Sequence, residues 1–201
     1  AGLTGTVTIP EEITSIGDNA FNGNTDIEKL VIPATVESIG GNAFRDCTGL
    51  TEAVLPVDIH YGNSGGYPAF YGCSGVTKIT YTAGNTGIML ETVNVSPGED
   101  QNYYGDRIEH SVRDTLKEVV FEDGVTKVGS GAFWNEGGGC PKLETVVLPA
   151  SVKEIGSNAF GSCSALENIT LPSGLTTLGA GSFYGCASIK SLEGIGMPAG
   201  V

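Results

Sequence analysis

The chain has 201 residues, of which 31 are Gly, 9 are Pro and 40% are hydrophobic, a mixture that argues against a helical bundle and for many short strands closed by turns. Ten basic residues against 23 acidic ones, a net charge of −13, leave no basic face for nucleic acid and disfavour an anionic membrane surface. No apolar run of about 18 residues offers a membrane insertion segment, and the opening AGLTGTVTIP does not read as a secretory leader.

Taken in chain order, the elements repeat. A strand around Val7 ends at Pro10 and leads to Phe21. The next unit runs Ile27-Glu-Lys-Leu30-Val-Ile32-Pro33, then Val36-Glu-Ser-Ile39-Gly40, then Ala43-Phe44-Arg-Asp-Cys47, and a third opens at Leu50. Pro10, Pro33 and Pro56 are 23 residues apart, as are Pro149 and Pro172, Phe21 and Phe44, and Phe160 and Phe183. Each unit has two apolar pieces. The first alternates as a short strand does, and Pro then stops its ladder. The second, such as Val152-x-x-Ile155-Gly156-x-x-Ala159-Phe160, is a return arc ending in about one helical turn. Neither piece buries its apolar side alone, so the units must stack. The expected fold is mostly β: coils of about 23 residues, one parallel sheet, short return strands and stacked Phe rings. Its inward row is Val7, Leu30, Ala53, Ile79, Val119, Val146, Ile169 and Leu192.

Between Ile79 and Val119 the register fails. Leu90-Glu-Thr-Val93-Asn-Val95-Ser-Pro97 echoes Leu143-Glu-Thr-Val146-Val-Leu148-Pro149. This predicts an extra sheet strand at 90–95, belonging to a shortened coil that starts 14 residues after Ile79. A coil of 26 residues then leads to Val119, with Ile108 and Val112 in its return arc. The alternative is an excursion of residues 82–115 over one rim.

The unit resembles the BspA-like, or Treponema-type, leucine-rich repeat, which reads roughly I-x-I-P-x-x-V-x-x-I-G-x-x-A-F-x-x-C-x-x-L. Val31-Ile-Pro33, Val36, Ile39-Gly40, Ala43-Phe44, Cys47 and Leu50 fill it place by place. So do Val147-Leu-Pro149, Val152, Ile155-Gly156, Ala159-Phe160, Cys163 and Leu166. Where the commoner leucine-rich consensus has Asn or Cys after the strand, this chain has Thr35, Asp58, Ser151 and Gly174. The resemblance implies one leucine-rich repeat solenoid over 1–201, with regular repeats at 4–81 and 116–195 and an irregular coil or insertion at 82–115. It also implies a bacterial cell-surface or secreted protein of a group associated with adhesion. The sequence opens one strand into a repeat and stops soon after Leu192 with no polar cap, so it is expected to be a piece of a longer protein.

Cys47, Cys73, Cys140, Cys163 and Cys186 share one repeat position, which Asn24 holds in the first unit. Neighbouring coils would set their Cβ atoms near 4.8 Å, wider than the roughly 3.8 Å of a disulfide. A row does not converge as a metal site does. The expectation is a ladder of buried thiols that satisfy backbone groups, with no metal and no cofactor. Gly62-Asn63-Ser64-Gly65-Gly66 near His60 looks like a serine-protease motif, but its neighbours are committed to repeats and no triad assembles. His110 reads as a solvated loop residue, and Glu99-Asp100 and Glu122-Asp123 lack the alternating ligands of a calcium loop. Asn94 and Asn168 stand in glycosylation sequons, which a bacterial repeat does not use. No catalytic group emerges.

Two surfaces are candidates for binding. The outward sheet face carries a charged border, Lys29, Glu52, Lys78 and Glu118, beside an apolar stripe of Val31, Val54, Val120 and Val147. The irregular middle concentrates aromatics: Tyr61, Tyr67, Tyr103 and Tyr104, with Trp134 beyond. The expected function is non-catalytic binding or adhesion toward a protein ligand, host or neighbouring-cell. A carbohydrate-binding module, with Tyr103, Tyr104 and Trp134 on one platform for a glycan, and a passive spacer are the alternatives.

Overall fold

In the computed structural model, which describes residues 3–64, 67–89, 108–135 and 137–193, the apolar-x-apolar steps all lie in one parallel sheet. Its eight strands are Gly5–Thr8, Ile27–Val31, Glu52–Pro56, Lys78–Thr82, Glu118–Phe121, Thr145–Val147, Asn168–Thr170 and Ser191–Glu193, each hydrogen-bonded to the next in chain order. We number the coils one to eight by these strands. Val7, Leu30, Ala53, Ile79, Val119, Val146, Ile169 and Leu192 are partners along one register, as the periodicity predicts. A second inward row, Ile9, Ile32, Leu55, Tyr81, Phe121 and Leu171, is also buried. A strand buried on one face alternates in this way because successive side chains point to opposite faces.

The return arcs form their own parallel ladders. Ser15–Ile16, Ser38–Ile39 and His60–Tyr61 make one, and Lys127–Val128, Glu154–Ile155 and Thr177–Leu178 make another. The glycine that follows them is required by close approach: a Cβ on Gly40 would lie 2.5 Å from the Asp18 amide, and one on Gly156 would collide with the Ser130 amide. In place of a helical turn, each regular coil then closes by successive four-residue turns, Asn22 N–H to Asn19 O and Asn24 N–H to Phe21 O in coil one. Left-handed residues hold the bends: Asn19, Asn42 and Asn158 at one position, Asp46 and Ser162 at another. These turns also ladder, since the Phe44 amide donates to Ala69 O and the Phe160 amide to Ser182 O. Within them Phe21, Phe44 and Phe70 stack at 4.9 Å intervals, and Phe133, Phe160 and Phe183 at 5.1 and 5.5 Å.

Coil four corrects the reading of the middle. Lys78–Thr82 pairs directly with Glu118–Phe121 over four residues, so no strand stands between them in this sheet, where an extra one was expected. Residues 90–95 themselves lie outside the described residues. One coil of 40 residues, from Lys78 to the next strand, replaces the two that were expected. Its return arc is residues 83–89: Ile88 bridges Lys127, and the Met89 amide donates to Lys127 O. Met89 therefore takes the inward return position. Ile108 and Val112, expected there, instead belong to the closing turn around Ile108–Ser111, the one α-helix among the described residues. No Phe is present at this turn, and Tyr81 stacked on Phe121 at 5.4 Å fills the interior instead. No helix of the described residues is long and apolar enough to cross a membrane.

Candidate binding surfaces

Strand alternation sends every second side chain of the main sheet outward. The register lines up Thr6, Lys29, Glu52, Lys78, Glu118, Thr145 and Asn168 as one row. Beside it run Thr8, Val31, Val54, Thr80, Val120 and Val147. Because coil four contributes one strand and not two, Lys78 stands next to Glu118, and the charges alternate over four consecutive coils. Lys29 Nζ lies 2.9 Å from Glu52 Oε1 and Lys78 Nζ 3.2 Å from Glu118 Oε1. Both pairs are part-exposed, so each contributes little stability. Their consequence is local neutrality on a chain of net charge −13. Val31, Val54 and Val120 are half-buried by neighbouring strands, and Val147 is 46% exposed.

The irregular middle is divided by the structure. Tyr61 ends the return strand His60–Tyr61, where its ring packs edge-on against Phe70 at 6.3 Å and joins the rim of the core. Tyr67 pairs with Ser64 in a small hairpin, Asn63–Ser64 with Tyr67–Pro68. Tyr103 and Tyr104 lie outside the described residues. Trp134 begins a second hairpin, Trp134–Asn135 with Gly138–Gly139, and is half-buried over Gly161 of the next coil. Two exposed aromatics not among the candidates share Trp134's place after the repeat's Phe. They are Tyr71, with the Arg45 guanidinium 5.5 Å above its ring, and Tyr184, 74% exposed. The spacing from Phe183 held the signal for Tyr184.

The cysteines are free thiols. Cys47, Cys73 and Cys186 donate to the Phe21, Phe44 and Phe160 carbonyls of the preceding coils at 3.2, 2.9 and 3.0 Å. Asn24 works within its own turn, its Oδ1 accepting from the Asp26 and Ile27 amides. The Cys47 thiol beside it, with burial, pushes Cys73 up; burial, then Cys163, pushes Cys186 up to about 11. Cys73 and Cys186, so held protonated, are poor nucleophiles, whereas hydrogen bonds with the neighbouring Cys73 and Cys140 thiols lower Cys47 and Cys163. Among the described residues no three His, Cys, Asp or Glu side chains gather as a metal site would need. A shallow depression of about 370 Å³, lined by Leu3 and residues 20–26, lies at the turn edge of coil one.

With this geometry in place, the chain can be set beside known proteins. Residues 3–93 and 110–196 match the model of the BspA type leucine rich repeat region in six copies. A leucine-rich repeat protein from Bacteroides ovatus is similar in structure, with a TM-score of 0.58 and 28% identity over 90% of this chain and 40% of its own. One from Eubacterium ventriosum has a TM-score of 0.63 at 21% identity, over 96% of this chain and 46% of its own. The leucine-rich repeat protein of T. pallidum has a TM-score of 0.50 at 25% identity, over 94% and 69%. The chain thus spans less than half the length of the first two. No curated protein matches it.

Proposed function

The chain belongs to the BspA-type leucine-rich repeat family, and we propose that it is a non-catalytic module of a bacterial surface or secreted protein that binds a protein ligand along the outward face of its parallel sheet. The observation that carries this reading is the unbroken register of that face across the irregular coil, with Val54, Thr80 and Val120 as partners on adjacent strands. Paired charges beside a β-branched stripe suit a protein partner: the stripe supplies contact area, and the flanking ion pairs set the orientation of docking. A repeat solenoid offers such an extended surface without a pocket.

The test is an array of immobilised extracellular-matrix proteins probed with the chain and with a Val54→Glu, Val120→Glu double variant that places new carboxylates in the stripe. Capture by a protein spot, lost in a double variant that still folds, is the expected result. Capture that the double variant keeps would defeat the sheet-face reading.

A further inference from the structure

The turn edge of coils six and seven differs from the rest of the surface. Residues 155–166 and 168–189 contain no Asp, Glu, Lys, Arg or His, in a chain where 16% of residues are charged. Tyr184 stands on this uncharged stretch and Trp134 one coil before it, in a hairpin whose sequence also holds Glu136, with Gly161 between the two aromatics in the stack. The hairpin that carries Trp134 is seated tightly: a Cβ on Gly139 would collide with the Gly161 carbonyl. The indole lies against the Gly161 backbone, since a Cβ at 161 would sit 3.1 Å from Trp134 Cδ1 and 3.3 Å from Cγ. Glycine at this place, where Arg45 and Tyr71 stand elsewhere, is what gives the ring room to lie down. Tyr184 follows one coil further on, its carbonyl accepting from the Ser162 amide at 2.6 Å and its side chain 74% exposed. Asn158 and Ser162, both left-handed, and the loop around them supply hydroxyl and amide groups between the two aromatics.

We propose that this edge is a binding site for an uncharged glycan, with Trp134 and Tyr184 as stacking surfaces for its pyranose rings. Three features select that partner. The turns of coils six and seven bring no charged side chain to it, and the charge nearest Trp134 in sequence, Glu136, opposes an anion. Trp134 is backed by Gly161 and Tyr184 is 74% exposed, so both can offer ring surface to an apolar sugar face. Successive coils advance by about 4.8 Å, close to the length of one sugar unit, so a linear oligosaccharide laid along the axis meets both rings. The site is separate from the sheet face, and its proof or failure leaves the protein-binding reading untouched.

Trp134 is the only tryptophan among seven tyrosines, so emission under tryptophan-selective excitation reports on this site alone. The chain is titrated with the β-1,4-linked hexasaccharides of glucose, xylose, mannose and N-acetylglucosamine, and with polygalacturonate as a charged control. A saturable change in emission with at least one neutral hexasaccharide is expected, absent with polygalacturonate. In Tyr184→Ala, a change at an exposed position that leaves the core alone, affinity falls about three- to tenfold, and Tyr184→Phe restores it. No saturable change with any neutral hexasaccharide overturns the proposal. So does a response only to polygalacturonate, or an affinity that Tyr184→Ala leaves unaltered.

Discussion

Coils one to three and five to seven hold together differently from coil four. In the regular arms three ladders run in parallel: the main sheet, the return strands, and the closing turns with their stacked Phe rings. At coil four the Phe is missing and the return strand shrinks to a single bridge from Ile88 to Lys127. Side chains take over there. Asp58 accepts the Asn85 and Thr86 amides at 2.9 and 2.8 Å, Asn85 Nδ2 reaches the Ala34 carbonyl at 3.1 Å, and the Thr115 hydroxyl donates to Val76 O at 2.7 Å. Only the main sheet passes through unbroken. A solenoid therefore tolerates a coil of 40 residues among coils of 23 to 27 as long as its strand keeps register, because each coil contacts only its neighbours.

The largest test removes a ring from an arm. Phe160 is fully buried between Phe133 and Phe183, and Phe160→Ala is expected to lower unfolding free energy by about 3–5 kcal/mol in a urea titration. The turn ladder is then tested by overpacking. Gly156→Ala drives a methyl group into the Ser130 backbone and is expected to cost about 3 kcal/mol. Gly17→Ala, with nothing within 4 Å, serves as its control, at or slightly above wild-type stability. A similar loss at both positions would show that coil spacing is not what requires the glycine.

Asp58→Ala tests the clamp on coil four. Two amides lose a charged acceptor, and a loss of about 2 kcal/mol is expected, with faster amide exchange at Asn85 and Thr86 while the arms stay protected. The same repeat position in the arms holds Thr35 and Ser151, whose hydroxyls donate backward to Ile13 O and Val125 O at 3.1 and 2.8 Å. If exchange rises equally throughout, the clamp does not act on coil four alone.

The arms were legible because each inward position repeats with the same spacing, so Val7 through Leu192 could be aligned before any contact was known. The middle was not. Leu90 to Val95 has the alternation of a sheet strand, but alternation reports a local face and says nothing about which neighbour a strand pairs with; that choice is made by non-local hydrogen bonds. Met89 escaped notice because its coil lacks the Gly and Phe that mark a return arc elsewhere. Of the binding candidates, the sheet-face residues follow from register alone. Trp134 follows the repeat's Phe, a place that tolerates exposure, but it is half-buried, and its seat on Gly161 depends on a hairpin with Gly138–Gly139 that no periodicity encodes.

The smallest expected effect separates the arms from coil four by pH, since residues 78–117 contain no cysteine. Burial raises Cys186 to about 11, above the roughly 8.5 of an exposed thiol. A folded-state value above the unfolded one means that the unfolded chain gives up its proton first. The stability this thiol contributes is thus fully present below about pH 8.5 and is lost as pH rises through 11. Between pH 8 and 11 the melting temperature of the wild type should fall further than that of Cys186→Ala, and amide protection should weaken at Phe160 and Tyr184 while Asn85 and Thr86 are unchanged. Equal pH slopes for the two proteins would mean that Cys186, half-buried at the turn of coil seven, is wet enough to ionise with the fold intact.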